Sequence, residues 1–193
     1  LCKNIHNIKN NLIICDDHEG GRVQRFVSEG QIEKLLPISD LGELAKQDVN
    51  QAMSLAKRQG QTMSANLIKH GVDVSFAPVL DCYPESGSDV LSDRCFCGDP
   101  KQIIKLAASY VSGMADEGML AIVKHFPGHG GVSSDTHTEK VIDNRSLDEL
   151  LERDILPYIA LQSALQGVML SHIIFPEFDE MPCSLSSNWV NYL

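Results

Sequence analysis

An α/β fold built on a parallel sheet is predicted by three observations. Four short apolar runs recur along the chain, amphipathic helical patterns lie between them, and every run ends in polar residues. The runs are Leu12-Ile13-Ile14-Cys15, Val72 to Leu80, Leu120-Ala121-Ile122-Val123 and Val168-Met169-Leu170. Their length and β-branched content predict strands buried on both faces. They start roughly 50 to 60 residues apart, which leaves room for a helix and a long loop in each unit.

The helices follow from their ends. Asp40-Leu41-Gly42-Glu43 resembles a capping box, opening a helix that turns Leu44, Met53, Ala56, Met63 and Leu67 inward and closes near Lys69-His70-Gly71. Asp99-Pro100 opens a second, with Ile103, Ile104, Ala107, Val111 and Met114 on one face and a stop at Gly118. Ser146-Leu147-Asp148-Glu149 is a further capping box, predicting a third helix that runs to about Leu165 and ends at Gly167.

Polar residues follow each strand: Asp16, Asp17, His18 and Glu19, then Asp81, then Lys124 and His125, then Ser171 and His172. Function at the carboxyl ends of parallel strands belongs to (β/α) barrels and to open doubly wound sheets. No G-x-G-x-x-G follows the first run, which weakens the dinucleotide-binding form of the open sheet.

Composition narrows the function classes. At 193 residues and 43% hydrophobic, the chain can bury a core of one domain or part of a large one. With 16 Lys and Arg against 26 acids and a net charge of -10, it is not a general nucleic-acid binder, which needs clustered cations to neutralise phosphates. No apolar stretch reaches the roughly 18 residues of a membrane span, and the chain does not open on a signal peptide. Neither membrane insertion nor secretion is supported, with a leader ahead of Leu1 left open. The six cysteines (Cys2, Cys15, Cys82, Cys95, Cys97 and Cys183) form no C-x-x-C pair, and a reducing compartment is the simpler reading.

The densest chemistry lies in Lys124-His125-Phe126-Pro127-Gly128-His129-Gly130 and the nearby Asp135-Thr136-His137. His125 and His129 have the spacing of a helical zinc site, but Pro127 and Gly128 would break that helix, and no metal or other cofactor is expected. Lys124 and His125 leave a strand together, so at least one should face the sheet's functional end; a snorkelling surface lysine is the competing reading. His129 could equally shape its loop through hydrogen bonds to backbone carbonyls. Asp135 and His137 have the composition of a dyad in which a carboxylate sets an imidazole's tautomer for proton transfer, against a solvated loop with an incidental histidine. Asp16 to Phe26 brings acids, Arg22 and Arg25 around Gly20-Gly21, a composition suited to sugar hydroxyls, with an internally salt-bridged turn as the competing reading.

Together the segments DHEGGRVQRF (17–26), VSFAPVLD (74–81), SDRCF (92–96), KHFPGHG (124–130) and DTH (135–137) resemble the bacterial β-N-acetylhexosaminidases of glycoside hydrolase family 3. The resemblance runs through nearly the whole chain in the right order; where Ser92 and Cys95 stand, the family usually has GDRSF. It implies a TIM-type (β/α)8 barrel, of which residues 1–193 form a partial catalytic domain with about four of the eight units. It also implies a retaining enzyme that removes terminal β-linked N-acetylglucosamine from muropeptides during cytoplasmic peptidoglycan recycling.

Residue by residue, the resemblance implies that Asp17 holds sugar hydroxyls and that Arg25, Arg94, Lys124 and His125 complete the N-acetylglucosamine pocket. It makes His137 the general acid/base, oriented by Asp135. This departs from most retaining glycosidases, which use two carboxyl groups. The Asp-x-His loop favours hexosaminidases over the family's β-glucosidases. The family's nucleophile is an aspartate in a later S-D-D-L-like segment, and none follows Pro182 to Trp189, so the chain is expected to be an interior fragment without the first barrel strand or the nucleophile. Such a half barrel would leave open sheet edges and is expected to be unstable or self-associating and hydrolytically inactive alone. The alternative is a catalytically inactive N-acetylglucosamine-binding or interaction module.

Overall fold

A computed structural model describes residues 2–9, 11–26, 32–83, 91–132, 136 and 139–193. Four strands, β1 (Cys15–Asp16), β2 (Val74–Ser75), β3 (Leu120–Phe126) and β4 (Gly167–Leu170), form one sheet in the order β1-β2-β3-β4. Every pairing is parallel, with Cys15 opposite Val74, Val74 opposite Leu120 and Ile122 opposite Gly167. An open doubly wound sheet reverses its strand order at a switch point, whereas these strands advance in one direction as successive barrel staves do. The alternative left open by the polar strand ends is thereby resolved in favour of a barrel segment.

Helix α1 (Cys2–Ile8) precedes β1; α2 (Ile38–Gln47) and α3 (Val49–His70) connect β1 to β2; α4 (Pro100–Asp116) connects β2 to β3. Asp99 caps α4 by accepting from the Lys101 N–H, with Pro100 at the first helical position where its missing N–H costs nothing. Helices α3 and α4 lie so close that a Cβ on Gly60 would sit 2.2 Å from the Tyr110 carbonyl oxygen and one on Gly113 2.1 Å from that of Lys57. Buried Met63, Leu67, Ile103, Leu106, Ala107 and Met114 join Val123 and Phe126 of β3 in one core.

Three expectations are corrected. The helix expected from Asp40 to His70 starts at Ile38 and is broken at Asp48, whose carboxylate accepts from the Asn50 and Gln51 N–H groups and so caps α3. Asp side chains compete for nearby backbone donors, which makes them better caps than interior residues. The Ser146 capping box forms with both of its hydrogen bonds, yet its helix stops as α5 (Leu147–Glu152) and resumes as α6 (Leu156–Leu161). Pro157 is the reason, since a continuous helix would push its ring against the carbonyl of Arg153. Two of the apolar runs are not buried on both faces: in the first, Ile13 is 72% exposed and only Cys15–Asp16 pair, at the edge of the sheet, and in the fourth Val168, Met169 and Leu170 are only half-buried at its other edge.

After β4 the chain forms an antiparallel hairpin, β5 (Ile174–Phe175) with β6 (Asp179–Pro182), and a last helix, α7 (Ser187–Tyr192). Fully buried Trp189 packs among Phe126, Phe175 and Phe178 and ties this unit to the end of β3.

Candidate active site

The site is assembled at the carboxyl ends of β1 and β3. Beyond β1 the chain folds into a tight turn in which the Glu19 N–H donates to the Val23 carbonyl at 2.8 Å. Gly20 makes the turn possible. Its φ is +111°, and a Cβ there would lie 2.5 Å from the Leu36 carbonyl oxygen, so only glycine fits without displacement. Beneath the turn His18 is fully buried, and its Nδ1 accepts from the Arg25 N–H at 3.2 Å. Burial, helped by the charge of Arg25, pushes the His18 pKa down to about 4, so the ring is neutral and holds Arg25 at the rim.

From β3, Lys124 is 1% exposed, and its ammonium contacts Asp17 and sits 2.5 Å from Glu19. The regular register of β3 against β4 shifts between Lys124 and Phe126, and both Lys124 and His125 line the pocket. The Lys124-His125, Phe126-Pro127 and Ala77-Pro78 peptide bonds are cis. Arg94, from a 3₁₀ turn at Ser92–Arg94, grips Glu19 through two hydrogen bonds of 2.8 Å. Burial would raise the Glu19 carboxyl, but the Arg94 hydrogen bonds and the Lys124 charge outweigh it and hold it below the usual carboxylate range. Asp17 is likewise held down, its hydrogen bond from Lys124 overcoming desolvation.

Behind this layer stands Asp81, buried at the end of the segment after β2. Its Oδ2 lies 2.7 Å from His125 Nδ1, and its Oδ1 accepts from the His129 N–H at 2.7 Å. A carboxylate accepts only, so the imidazole proton is placed on Nδ1 and Nε2 is free to serve as the second ring atom. Full burial opposes ionisation of Asp81, yet His125 and His129 keep its pKa low. The His125 and His129 rings meet edge to face at 5.8 Å. Among the described residues no group of three metal-ligating side chains comes together.

Asp17, Glu19, Arg25, Arg94, Lys124, His125 and His129 line a cavity of about 390 Å³, with Leu91, Met169 and Leu170 supplying apolar wall and Ser171 and His172 also lining it. That volume suits one small ligand. A larger cavity of about 560 Å³ lies among Ile155, Tyr158, Leu165 and Val168, but among the described residues no Asp, Glu, His, Lys or Arg side chain lines it.

Asp17, Arg25, Arg94, Lys124 and His125 therefore all line one cavity. Asp135 and His137 lie outside the described residues; Thr136 between them is described, with its Oγ1 3.5 Å from His129 Nε2. Sequence reasoning placed Glu19 and Asp81 among polar strand ends without giving either a task. For Glu19 the signal was its spacing two residues from Asp17 beside the glycine pair, and for Asp81 its place directly after an apolar run.

Fold and site together define a parallel (β/α) barrel segment with a charged pocket at the carboxyl ends of its strands. Residues 3–193 match the glycosyl hydrolase family 3 N terminal domain, and the chain belongs to that family. It is 43% identical over 193 residues to a beta-hexosaminidase of Tolumonas auensis, covering 98% of this chain and 55% of that protein. A beta-hexosaminidase of Stenotrophomonas maltophilia is 42% identical over 179 residues, 92% of this chain and 52% of the relative. Among solved structures, NagZ from Neisseria gonorrhoeae in complex with N-trifluoroacetyl-D-glucosamine superposes with a TM-score of 0.93 at 35% identity, covering 100% of this chain and 57% of that one. The chain thus spans about half the length of the curated relatives it matches.

Proposed function

We propose that the whole protein is a retaining exo-β-N-acetylhexosaminidase that releases terminal β-linked N-acetylglucosamine from peptidoglycan-derived muropeptides in the cytoplasm. The observation that carries this reading is the convergence of Asp17, Arg25, Arg94, Lys124 and His125 on one cavity of about 390 Å³. Asp17 accepts from sugar hydroxyls while Lys124, Arg94 and Arg25 donate, an arrangement that fixes a polyol in one orientation. The neighbouring Neisseria protein with a glucosamine derivative bound supports the choice of sugar.

In this mechanism an aspartate outside this chain attacks the anomeric carbon, and His137 protonates the departing glycosidic oxygen. Water then enters, His137 takes its proton, and the glycosyl-aspartate bond breaks with retention. Asp135 holds the imidazole in the tautomer each step needs. A cytoplasmic setting is supported by six free cysteines, of which Cys82, Cys95 and Cys183 are buried. No helix of the described residues is long and apolar enough to cross a membrane.

The test is turnover of 4-nitrophenyl N-acetyl-β-D-glucosaminide and of the matching β-glucoside by the whole protein, followed by a muropeptide substrate. Hydrolysis of the first at least about a hundredfold faster than the second is expected, the discrimination a site with buried polar partners achieves. Binding of N-acetylglucosamine without turnover would instead identify a sugar-binding module.

A further inference from the structure

Two of the three cations that line the cavity, Lys124 and Arg94, converge on Glu19, a residue only 2% exposed and with no room to turn away. Its backbone is locked by the turn to Val23, and its two carboxylate oxygens are divided between the partners: Oε2 takes Arg94 Nε, while Oε1 takes Arg94 Nη2 and Lys124 Nζ. Asp17, the other acid of the cavity, is more exposed and touches Lys124 alone of the two. The two acids therefore differ in task. Asp17 is open to a ligand, whereas Glu19 is spent on the protein's own cations.

The charge balance follows. Among the described residues lining the cavity, Asp17 and Glu19 stand against Arg25, Arg94 and Lys124; removing the Glu19 charge would leave one more uncompensated positive charge there, on cations no longer held together. A buried anion that ties two cations aims their remaining N–H groups, since Arg94 has five donors and Glu19 takes two, and Lys124 has three. It also lowers the field that would otherwise draw small anions into the pocket.

We propose that Glu19 is a positioning and specificity-setting residue: it orients Lys124 and Arg94 toward ligand hydroxyls and cancels enough of their charge for the pocket to prefer an uncharged sugar over an anion. This rests on the hexosaminidase reading above.

The test compares wild type, Glu19→Gln and Glu19→Asp in the whole protein, with 4-nitrophenyl N-acetyl-β-D-glucosaminide as substrate and inorganic phosphate as inhibitor. For Glu19→Gln the expected result is a KM raised about tenfold or more with a smaller change in kcat. Competitive inhibition by phosphate should tighten at least about threefold. A merely structural role would lower kcat through the active fraction and leave KM and phosphate inhibition as in wild type, and that result overturns the proposal. Should Glu19→Gln fail to fold, Glu19→Asp keeps the charge one methylene short: a raised KM without new phosphate inhibition supports the proposal, and an unchanged KM overturns it. Wild type that leaves the substrate intact sinks the hexosaminidase reading and this inference with it, whereas active wild type with indifferent variants sinks this inference alone.

Discussion

Fully buried Asp81 pairs with half-buried His125 of β3, Oδ2 to Nδ1 at 2.7 Å, and the same carboxylate accepts the backbone N–H of His129, so it ties the strand end to the loop that follows. Asp81→Asn keeps the shape but supplies an amide whose NH2 has to face one of these donors. The expected outcome is a loss of about 3 kcal/mol in urea unfolding, the scale for breaking a buried charge-assisted network. The kcat/KM of the whole protein should fall by about tenfold or more as His125 loses its orientation. Unchanged stability and kinetics would show that Asp81 neither braces the loop nor orients the ring.

His18 makes stability depend on pH near neutrality. Its folded pKa is depressed from 6.5 to about 4, so between those values the unfolded chain binds the proton and the folded chain does not. Stability is therefore fully present above about pH 6.5 and declines as pH falls toward about 4, by on the order of 3 kcal/mol if the whole shift acts. His129, lowered chiefly by burial, adds in the same direction. Urea midpoints at pH 7 and pH 5 should differ clearly for the wild type and less for His18→Gln, which can still accept from the Arg25 N–H. Equal losses in both proteins would remove His18 from the account. Below the ordinary carboxylate values of 3.8 and 4.5 a second decline is expected, as the depressed carboxyls of Asp17, Glu19 and Asp81 take up protons and their ion pairs fail.

Gly20→Ala tests the turn that presents Glu19. A left-handed φ of +111° with a Cβ 2.5 Å from the Leu36 carbonyl oxygen combines backbone strain with a clash against main chain. A destabilisation of about 2 kcal/mol or more is expected. Calorimetric titration with N-acetylglucosamine should weaken as well, because Glu19 is the adjacent residue. A variant that melts and binds like wild type would mean that the turn relaxes freely.

Much of this molecule was legible in local pattern. The alternation of apolar runs with amphipathic stretches located β2 through β4 and α4, and the Asp99-Pro100 start and the Ser146 capping box were read from a few adjacent residues. Helix interruptions were harder. Asp48 and Pro157 sit within continuous apolar periodicity, and whether such a residue is tolerated, caps a new helix or ends the old one depends on which backbone groups the fold leaves in need of partners.

By itself, then, the sequence determined a parallel α/β chain with chemistry at its strand ends, through short-range periodicity, while its family and the five residues that line one cavity came from the resemblance of its motifs, whose residues are neighbours in the chain. Only the tertiary structure decided how the charges divide. Lys124 meets Asp17 from 107 residues away, Arg94 meets Glu19 from 75 and His125 meets Asp81 from 44. Which acid becomes a buried hub and which stays open to a ligand depends on desolvation and on distances of a few ångströms between such remote segments, and residue order does not encode either one locally.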